Sequence, residues 1–513
     1  MSENRPFFIT TPIYYVNDTA HLGHAYTTVA CDALARFMRL DGRRVKFLTG
    51  TDEHGQKVEQ SARAAGISPQ QFADRISASF REMDRLLDIS YDDYIRTTEM
   101  RHVRGVEVLW HELERRGEIY LGRFAGWYCV RDEAFYDESE LIDGPNGTRV
   151  APSGAEVEWL EEQNYFFRLS AWQDRLLAYY EANPEALAPR SRRNEVVSFV
   201  KAGLRDLSIS RTSFSWGIPV PGNPQHVIYV WLDALANYIT AVGYPDTADP
   251  QFTAFWPADL HVVGKDILRF HAVYWPAFLM AAGLAPPRRI FAHGWWTVEG
   301  QKMSKSLNNF IPPKQLVDTY GLDPVRYFLL RELPFGSDGD FSHRAVVGRL
   351  NGDLANDFGN LAQRVLVMIN RNCDAVIPTA EDLTAADTAL LDAARSLLAM
   401  VRGHIWEQAF HLALEAIWRV VGEANRYVDE QAPWVLSRSD PARMRTVLYT
   451  LAETLRHLAI LAQPFVPGTA GKLLDQLAVP EGARDFTALT AAPLAPGSPL
   501  PKPEAIFPRF VEK

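Results

Sequence analysis

Phe7-Phe8-Ile9-Thr10-Thr11-Pro12-Ile13-Tyr14-Tyr15-Val16 is followed by Asn17-Asp18-Thr19-Ala20, by a run from Leu22 to Leu40 closed by Asp41-Gly42, and by Val45-Lys46-Phe47-Leu48. The first segment is apolar, aromatic and β-branched, so a strand is expected over 7–16. Residues 17–20 have turn chemistry, and Leu22–Leu40 carries apolar residues at helical spacing up to the Asp-Gly stop. A second short strand is expected over 45–48. Two apolar strands joined by an amphipathic helix form a βαβ unit, which predicts a parallel sheet of the doubly wound, Rossmann-like nucleotide-binding kind.

Working outward, the α/β pattern resumes at strand-like 259–263 and 290–291, separated by a helical 267–280. Between the two halves, 118–225 has another texture. It is rich in aromatics and carries Gly-Pro-Asn-Gly at 144–147 and Pro-Ser-Gly at 152–154. From about 340 onward apolar residues recur at i, i+3, i+4 and i+7 over 390–400, 406–427 and 444–461, the pattern of a helical bundle. The Pro-rich end, 492–513, is expected to run extended along the surface. These textures divide the chain into a catalytic first half at 1–117, an inserted domain at 118–225, a catalytic second half at 226–340 and an all-α domain with its tail at 341–513.

Composition is that of a folded enzyme. The 513 residues are 47% hydrophobic and 23% charged, enough for several cores. No apolar stretch reaches the length of a membrane span, and Met1–Arg5 is polar with no apolar run behind it, so a cytoplasmic protein is expected. Three scattered cysteines, Cys31, Cys129 and Cys373, suit a reducing compartment. A formal net charge of −10 excludes indiscriminate grip on nucleic acid, so any RNA must be met by a local surface.

Two short motifs carry chemistry. His21-Leu22-Gly23-His24 lies where the first strand gives way to the first helix. A helix N-terminus offers unpaired N–H groups and a positive dipole to phosphate, Gly23 allows close approach, and the two imidazoles can donate to phosphate oxygens. No third or fourth ligand at a usual spacing supports zinc there. Lys302-Met303-Ser304-Lys305-Ser306 follows a strand and precedes Asn308-Asn309. Its lysines and hydroxyls can clamp a polyphosphate as pyrophosphate leaves. Each peptide alone is commonplace; together, in this order and context, they resemble the paired motifs of class I aminoacyl-tRNA synthetases.

Within that class the chain resembles the methionyl-tRNA synthetase family over nearly its whole length. The likeness rests on Thr10 to Asn17, Gly50-Thr51-Asp52-Glu53-His54-Gly55, Tyr229 to Ala234, Gly264-Lys265-Asp266 and the Trp-rich stretch from Phe291 to Thr297. The resemblance implies ATP-dependent activation of L-methionine, with ATP as its Mg2+ complex, and transfer to the 3′ end of tRNA(Met). It implies catalytic roles for His21, His24, Lys302 and Lys305. An ATP site is implied at His21, Gly23, His24, His293, Gly294, Lys302, Met303, Ser304, Lys305 and Ser306. It implies a methionine pocket of Ile13, Tyr15, Trp231, Ala234, Tyr238, Ile267, His271 and Trp275, with Asp52 meeting the α-ammonium. Helical spacing agrees, because Trp231, Ala234 and Tyr238, and likewise Ile267, His271 and Trp275, share helix faces. Aromatic walls suit a thioether. Leu235 stands where many relatives have proline.

The same resemblance would put a zinc knuckle in the insertion. Here Cys129 is followed by Val130-Arg131-Asp132-Glu133 without a second cysteine, and no Cys or His follows before His226. One thiolate cannot build a tetrahedral site, so no structural zinc is expected. Ion pairs of Arg131, Asp132 and Glu133 are expected to hold the loop instead. In the helical half, Asn360, Arg364 and Trp434 match the family's anticodon-reading residues, an amide and a guanidinium on one helix face and an indole for stacking. No appended RNA-binding barrel follows, and a monomer is expected.

Overall fold

The computed structural model of the chain describes residues 5–132, 134–144, 147–298, 301–302 and 310–512. Its main sheet has seven strands in the order Leu187–Ala188, Ile290–His293, Leu260–Gly264, Phe7–Thr10 and Val45–Asp52, with Tyr14–Tyr15 and Asp93–Arg96 both paired to the last. Every pairing in this sheet is parallel. The first strand lies inside the sheet, with Val45–Asp52 on one side and Leu260–Gly264 on the other. Such a switch in winding opens a crevice at the carboxyl ends of the strands, where ligands bind in doubly wound folds.

The expected strand over 7–16 is two strands, Phe7–Thr10 and Tyr14–Tyr15, which pair with successive parts of the same neighbour. Pro12 has no N–H to give a ladder, and Thr11 turns its hydroxyl to Thr49 Oγ1 at 2.8 Å. The helix Leu22–Leu40 has the expected bounds and stops at Gly42, whose φ of +79° a side chain would strain.

The helical 267–280 is in three pieces: a short turn Lys265–Ile267, a π-helical Phe270–Tyr274 and an α-helix Trp275–Ala281. Pro276 cannot donate to the carbonyl of Ala272, which accepts instead from the Tyr180 hydroxyl at 2.5 Å. A π turn of this kind often marks a functional site.

In the insertion, Ile119–Cys129 and Glu158–Phe167 form an antiparallel ribbon, to which Ala134–Tyr136 adds. The window 118–225 also supplies an edge of the main layer. Leu187–Ala188 is an edge strand, and Leu176, Tyr180, Val196 and Val200 enter the core shared with Trp110 and Phe278. Cys129 is buried against Ala151 and Ala155, a small apolar cluster, and burial pushes its thiol up to about 11. Asp132 lies 3.4 Å from Arg131 and accepts from the Tyr136 hydroxyl at 3.0 Å; Glu133 lies outside the described residues.

The bundle contains Asn360–Asn372, Ala385–Trp406, Phe410–Gln431 and Pro441–Ala462. Trp406, expected to begin a helix, ends one: Gln408 at φ +53° breaks the chain direction before Phe410. The tail is not simply laid on the surface, because Leu494, Leu500, Ile506 and Phe507 are buried in the core. Arg326, fully buried, binds the bundle to the helix Leu22–Leu40: it donates to Asp32 at 2.6 Å and to the Pro464 carbonyl at 3.1 Å. No helix among the described residues is long and apolar enough to cross a membrane.

Candidate active site

The helix Leu22–Leu40 starts at the crevice, and its first turn is built from the two motif histidines. His21 is the N-cap: its Nδ1 accepts from the Gly23 N–H at 3.0 Å, while Nδ1 of His24 accepts from the His21 N–H at 3.2 Å. Both acceptor nitrogens are on the δ side, so each neutral ring carries its proton on Nε2 as a donor. The rings stack at 3.9 Å, and the His24 ring is also packed by Tyr14 and Phe80. Burial holds both neutral, lowering His21 to about 4 and His24 well below its usual value. A Cβ on Gly23 would stand 2.9 Å from Cε1 of His21, so glycine is what lets the imidazole fold back over the turn.

A third imidazole closes this side. His293, at the carboxyl end of Ile290–His293, donates from Nδ1 to the Gly294 carbonyl at 2.8 Å, and its Nε2 accepts from the Thr27 hydroxyl at 2.8 Å. A Cβ on Gly294 would be 2.1 Å from the Ser337 carbonyl oxygen, so two backbones meet here with no room for a side chain. Gln301–Lys302 pairs antiparallel with Trp296–Val298. Met303, Ser304, Lys305 and Ser306 lie outside the described residues, as does everything of Lys302 beyond its backbone.

On the other side of the first strand is an aromatic-walled pocket region. Tyr238 donates its hydroxyl to Nε2 of His271 at 2.8 Å, and His271 donates from Nδ1 to the Ile267 carbonyl at 2.9 Å. Burial lowers His271 to about 4, so the ring is neutral at physiological pH. Tyr238 also stacks on His261 at 4.0 Å and approaches Trp275 at 6.0 Å, while Trp231 stacks flat on Phe270 at 3.7 Å. Ala234 and Trp275 are buried, and Ile13, Trp231 and Ile267 are partly buried against the same core; Tyr15 packs on the neighbouring one. Asp52, buried at the end of Val45–Asp52, lies close enough to Tyr238 for its charge to oppose ionisation of the phenol.

Asp266 was not singled out by its residue type or spacing. Its charge nevertheless raises His21, His271 and His293 against the larger effect of burial, so one carboxylate acts on all three imidazoles. Only the folding of three distant segments brings these groups together, and a lone Asp after Gly-Lys carries no periodic signal.

In the bundle, Asn360 is exposed and Trp434 is 45% exposed. Ala432, in the left-handed conformation at φ +43°, ends Phe410–Gln431 and turns the chain so that Trp434 stands out. The Arg364 guanidinium lies 5.4 Å from the Trp434 ring centroid and 2.6 Å from Asp429.

Two family models match successive parts of the chain. Residues 7–366 match tRNA synthetases class I (M), and residues 377–513 match the anticodon binding domain of methionyl tRNA ligase. The chain belongs to the class I methionyl-tRNA synthetase family. Methionine–tRNA ligases from Mesorhizobium japonicum and Rhizobium meliloti are 57% and 55% identical over 99% and 100% of the chain and 98% and 99% of their own lengths. The Mycobacterium tuberculosis methionyl-tRNA synthetase in complex with methionyl-adenylate is 54% identical and superposes with a TM-score of 0.97, covering 98% of this chain and 100% of that one. Against the free-state structure of the synthetase from the same organism, the TM-score is 0.90 at 50% identity, covering 99% of each chain. The parallel sheet lies within the first matched range, ahead of the helical anticodon domain of the second.

Proposed function

We propose that the protein activates L-methionine with Mg2+-bound ATP, releasing pyrophosphate, and transfers the methionyl group from the adenylate to the terminal ribose of tRNA(Met). The observation that carries this reading is the pair of neutral histidine sites flanking the first strand. On one side His21 and His24 offer Nε2–H donors at a helix N-terminus; on the other His271 is locked in one tautomer by Tyr238 and Ile267 within an aromatic wall.

In the first step the methionine carboxylate attacks the α-phosphate of ATP. No protein nucleophile is needed, so rate comes from orientation and from donors aimed at the phosphates. His21 and His24 serve from the helix, His293 and Gly294 line the nucleotide, and Lys302, Met303, Ser304, Lys305 and Ser306 serve the polyphosphate, with Lys302 and Lys305 drawing off the charge of departing pyrophosphate. Asp52 takes the α-ammonium. Ile13, Tyr15, Trp231, Ala234, Tyr238, Ile267, His271 and Trp275 hold the side chain, where aromatic edges favour sulfur and a neutral imidazole repels no apolar ligand.

In the second step the 3′ ribose hydroxyl of the tRNA attacks the adenylate carbonyl. Asn360, Arg364 and Trp434 read the CAU anticodon, with Trp434 stacking a base that the amide and guanidinium address at its edge. The insertion works without zinc, since Cys129 sits in an apolar cluster with a raised thiol pKa. The scattered cysteines support a cytoplasmic enzyme, acting as a monomer. Charging transcripts of tRNA(Met) tests the whole reading: methionine should be esterified to the CAU transcript, and to one with an altered anticodon at a rate lower by orders of magnitude. Equal charging of both would overturn it.

A further inference from the structure

Asp233 is fully buried on the helix Val230–Thr240, yet it stays charged in function of two neighbours. One carboxylate oxygen is 2.6 Å from Nδ1 of His54 and the other 2.7 Å from Nε2 of His102, whose Nδ1 is 3.0 Å from the Thr240 hydroxyl. Burial alone would raise its pKa, but the two histidines outweigh that and hold it low. A buried charge tied this closely is costly to maintain unless it fixes something.

What it fixes is the geometry between two walls of the amino-acid site. His54 follows Asp52 by two residues, and Asp233 stands between Trp231 and Ala234 on the helix that forms the aromatic wall. The backbone of the same turn is anchored elsewhere: the Glu53 N–H donates to Thr97 Oγ1 at 3.0 Å, the Trp216 indole N–H to the Glu53 carbonyl at 2.6 Å, and the Gly55 N–H to the Trp216 carbonyl at 3.0 Å. His54 adds a charge-assisted bond from that turn to the pocket helix.

We propose that Asp233, acting through His54, is the positioning residue of the ammonium site, holding Asp52 at a set distance from the Trp231–Tyr238 wall. This rests on the reading that Asp52 meets the methionine ammonium. Neither His54 nor Asp233 touches reacting atoms, so their effect falls on recognition of the amine and not on ATP.

Four variants and two inhibitors test it in methionine-dependent ATP–pyrophosphate exchange. L-Methioninol has the ammonium group; 4-(methylthio)butanoate has the thioether and carboxylate but no amine. His54→Leu is expected to raise the methionine KM and the methioninol Ki about tenfold while ATP KM and the butanoate Ki stay within about twofold. His54→Asn, which keeps an N–H at the Nδ1 place, should restore wild-type values. General structural damage would move both inhibitors together and would overturn the proposal. Asp233→Asn, nearly the same size, should repeat the selective loss and serves if His54→Leu does not fold. Asp52→Asn separates the two layers: if it weakens methioninol while His54→Leu and Asp233→Asn do not, the positioning role fails and the ammonium reading stands. If Asp52→Asn leaves methioninol binding intact, the ammonium reading fails, and the proposal with it.

Discussion

The Tyr238 hydroxyl lies 2.8 Å from Nε2 of His271, whose other nitrogen is already committed to the Ile267 carbonyl at 2.9 Å. The pair joins the helix Val230–Thr240 to the irregular segment before Trp275 and fixes one tautomer of the imidazole. Tyr238→Phe removes the donor and leaves a buried nitrogen unsatisfied, which costs about 1–3 kcal/mol. The expected result is a fall of about tenfold or more in kcat/KM for methionine in ATP–pyrophosphate exchange, with the ATP KM nearly unchanged. A wild-type kcat/KM would remove Tyr238 and His271 from the pocket.

The buried histidines set a pH response. His21 and His271 are each lowered from the usual 6.5 to about 4 by burial, so between those values the unfolded chain binds protons that the native protein refuses. Stability must therefore fall as pH drops below about 6.5, by about 1 kcal/mol from each ring near pH 5.5. Urea midpoints measured from about pH 7 to about pH 5.5 should decline. His21→Asn, which keeps an N-cap acceptor, should flatten the slope. A wild-type midpoint independent of pH over this range would mean these rings are not held neutral.

At the far end of the molecule, Trp434 is exposed beside the Arg364 guanidinium, an arrangement open to a base. Stacking on an indole is worth about 1–3 kcal/mol, so Trp434→Ala should cut aminoacylation about 10- to 100-fold and leave ATP–pyrophosphate exchange intact. Parallel losses in the two assays would assign the residue to the fold instead.

Much of this was legible in sequence where local chemistry decides. The helix Leu22–Leu40 was bounded correctly because a turn opens it and Asp41-Gly42 closes it. Legibility failed where tertiary partners decide. Pro12 splits the first strand, Pro276 and Tyr180 together widen the helix at His271, and Gln408 adopts a positive φ that no glycine announces. The edge strand Leu187–Ala188 is two residues long, too short for any alternation to appear. The tail's Phe507 reads as part of a Pro-rich surface run, yet it is buried, 6.4 Å from Phe358 across the bundle. At the site, the paired histidine motif and the aromatic residues at helical spacing are readable from local sequence, whereas Asp266 gains meaning only from the three histidines that its charge reaches.

Lys305 is the residue on which activation should depend most. A lysine drawn to pyrophosphate acts when charge develops on it, and so contributes in the transition state more than in the ground state. Lys305→Ala should slow adenylate formation by about a hundredfold or more in single-turnover experiments, with little change in methionine affinity. An unchanged rate would refute its role.

This pocket and these phosphate donors should serve one amino acid. ATP–pyrophosphate exchange measured with methionine, cysteine, leucine, isoleucine and valine tests it most directly. Exchange should be rapid with methionine and lower by orders of magnitude with each of the others. Absence of methionine-dependent exchange, or an equal response to another of these amino acids, would contradict the account.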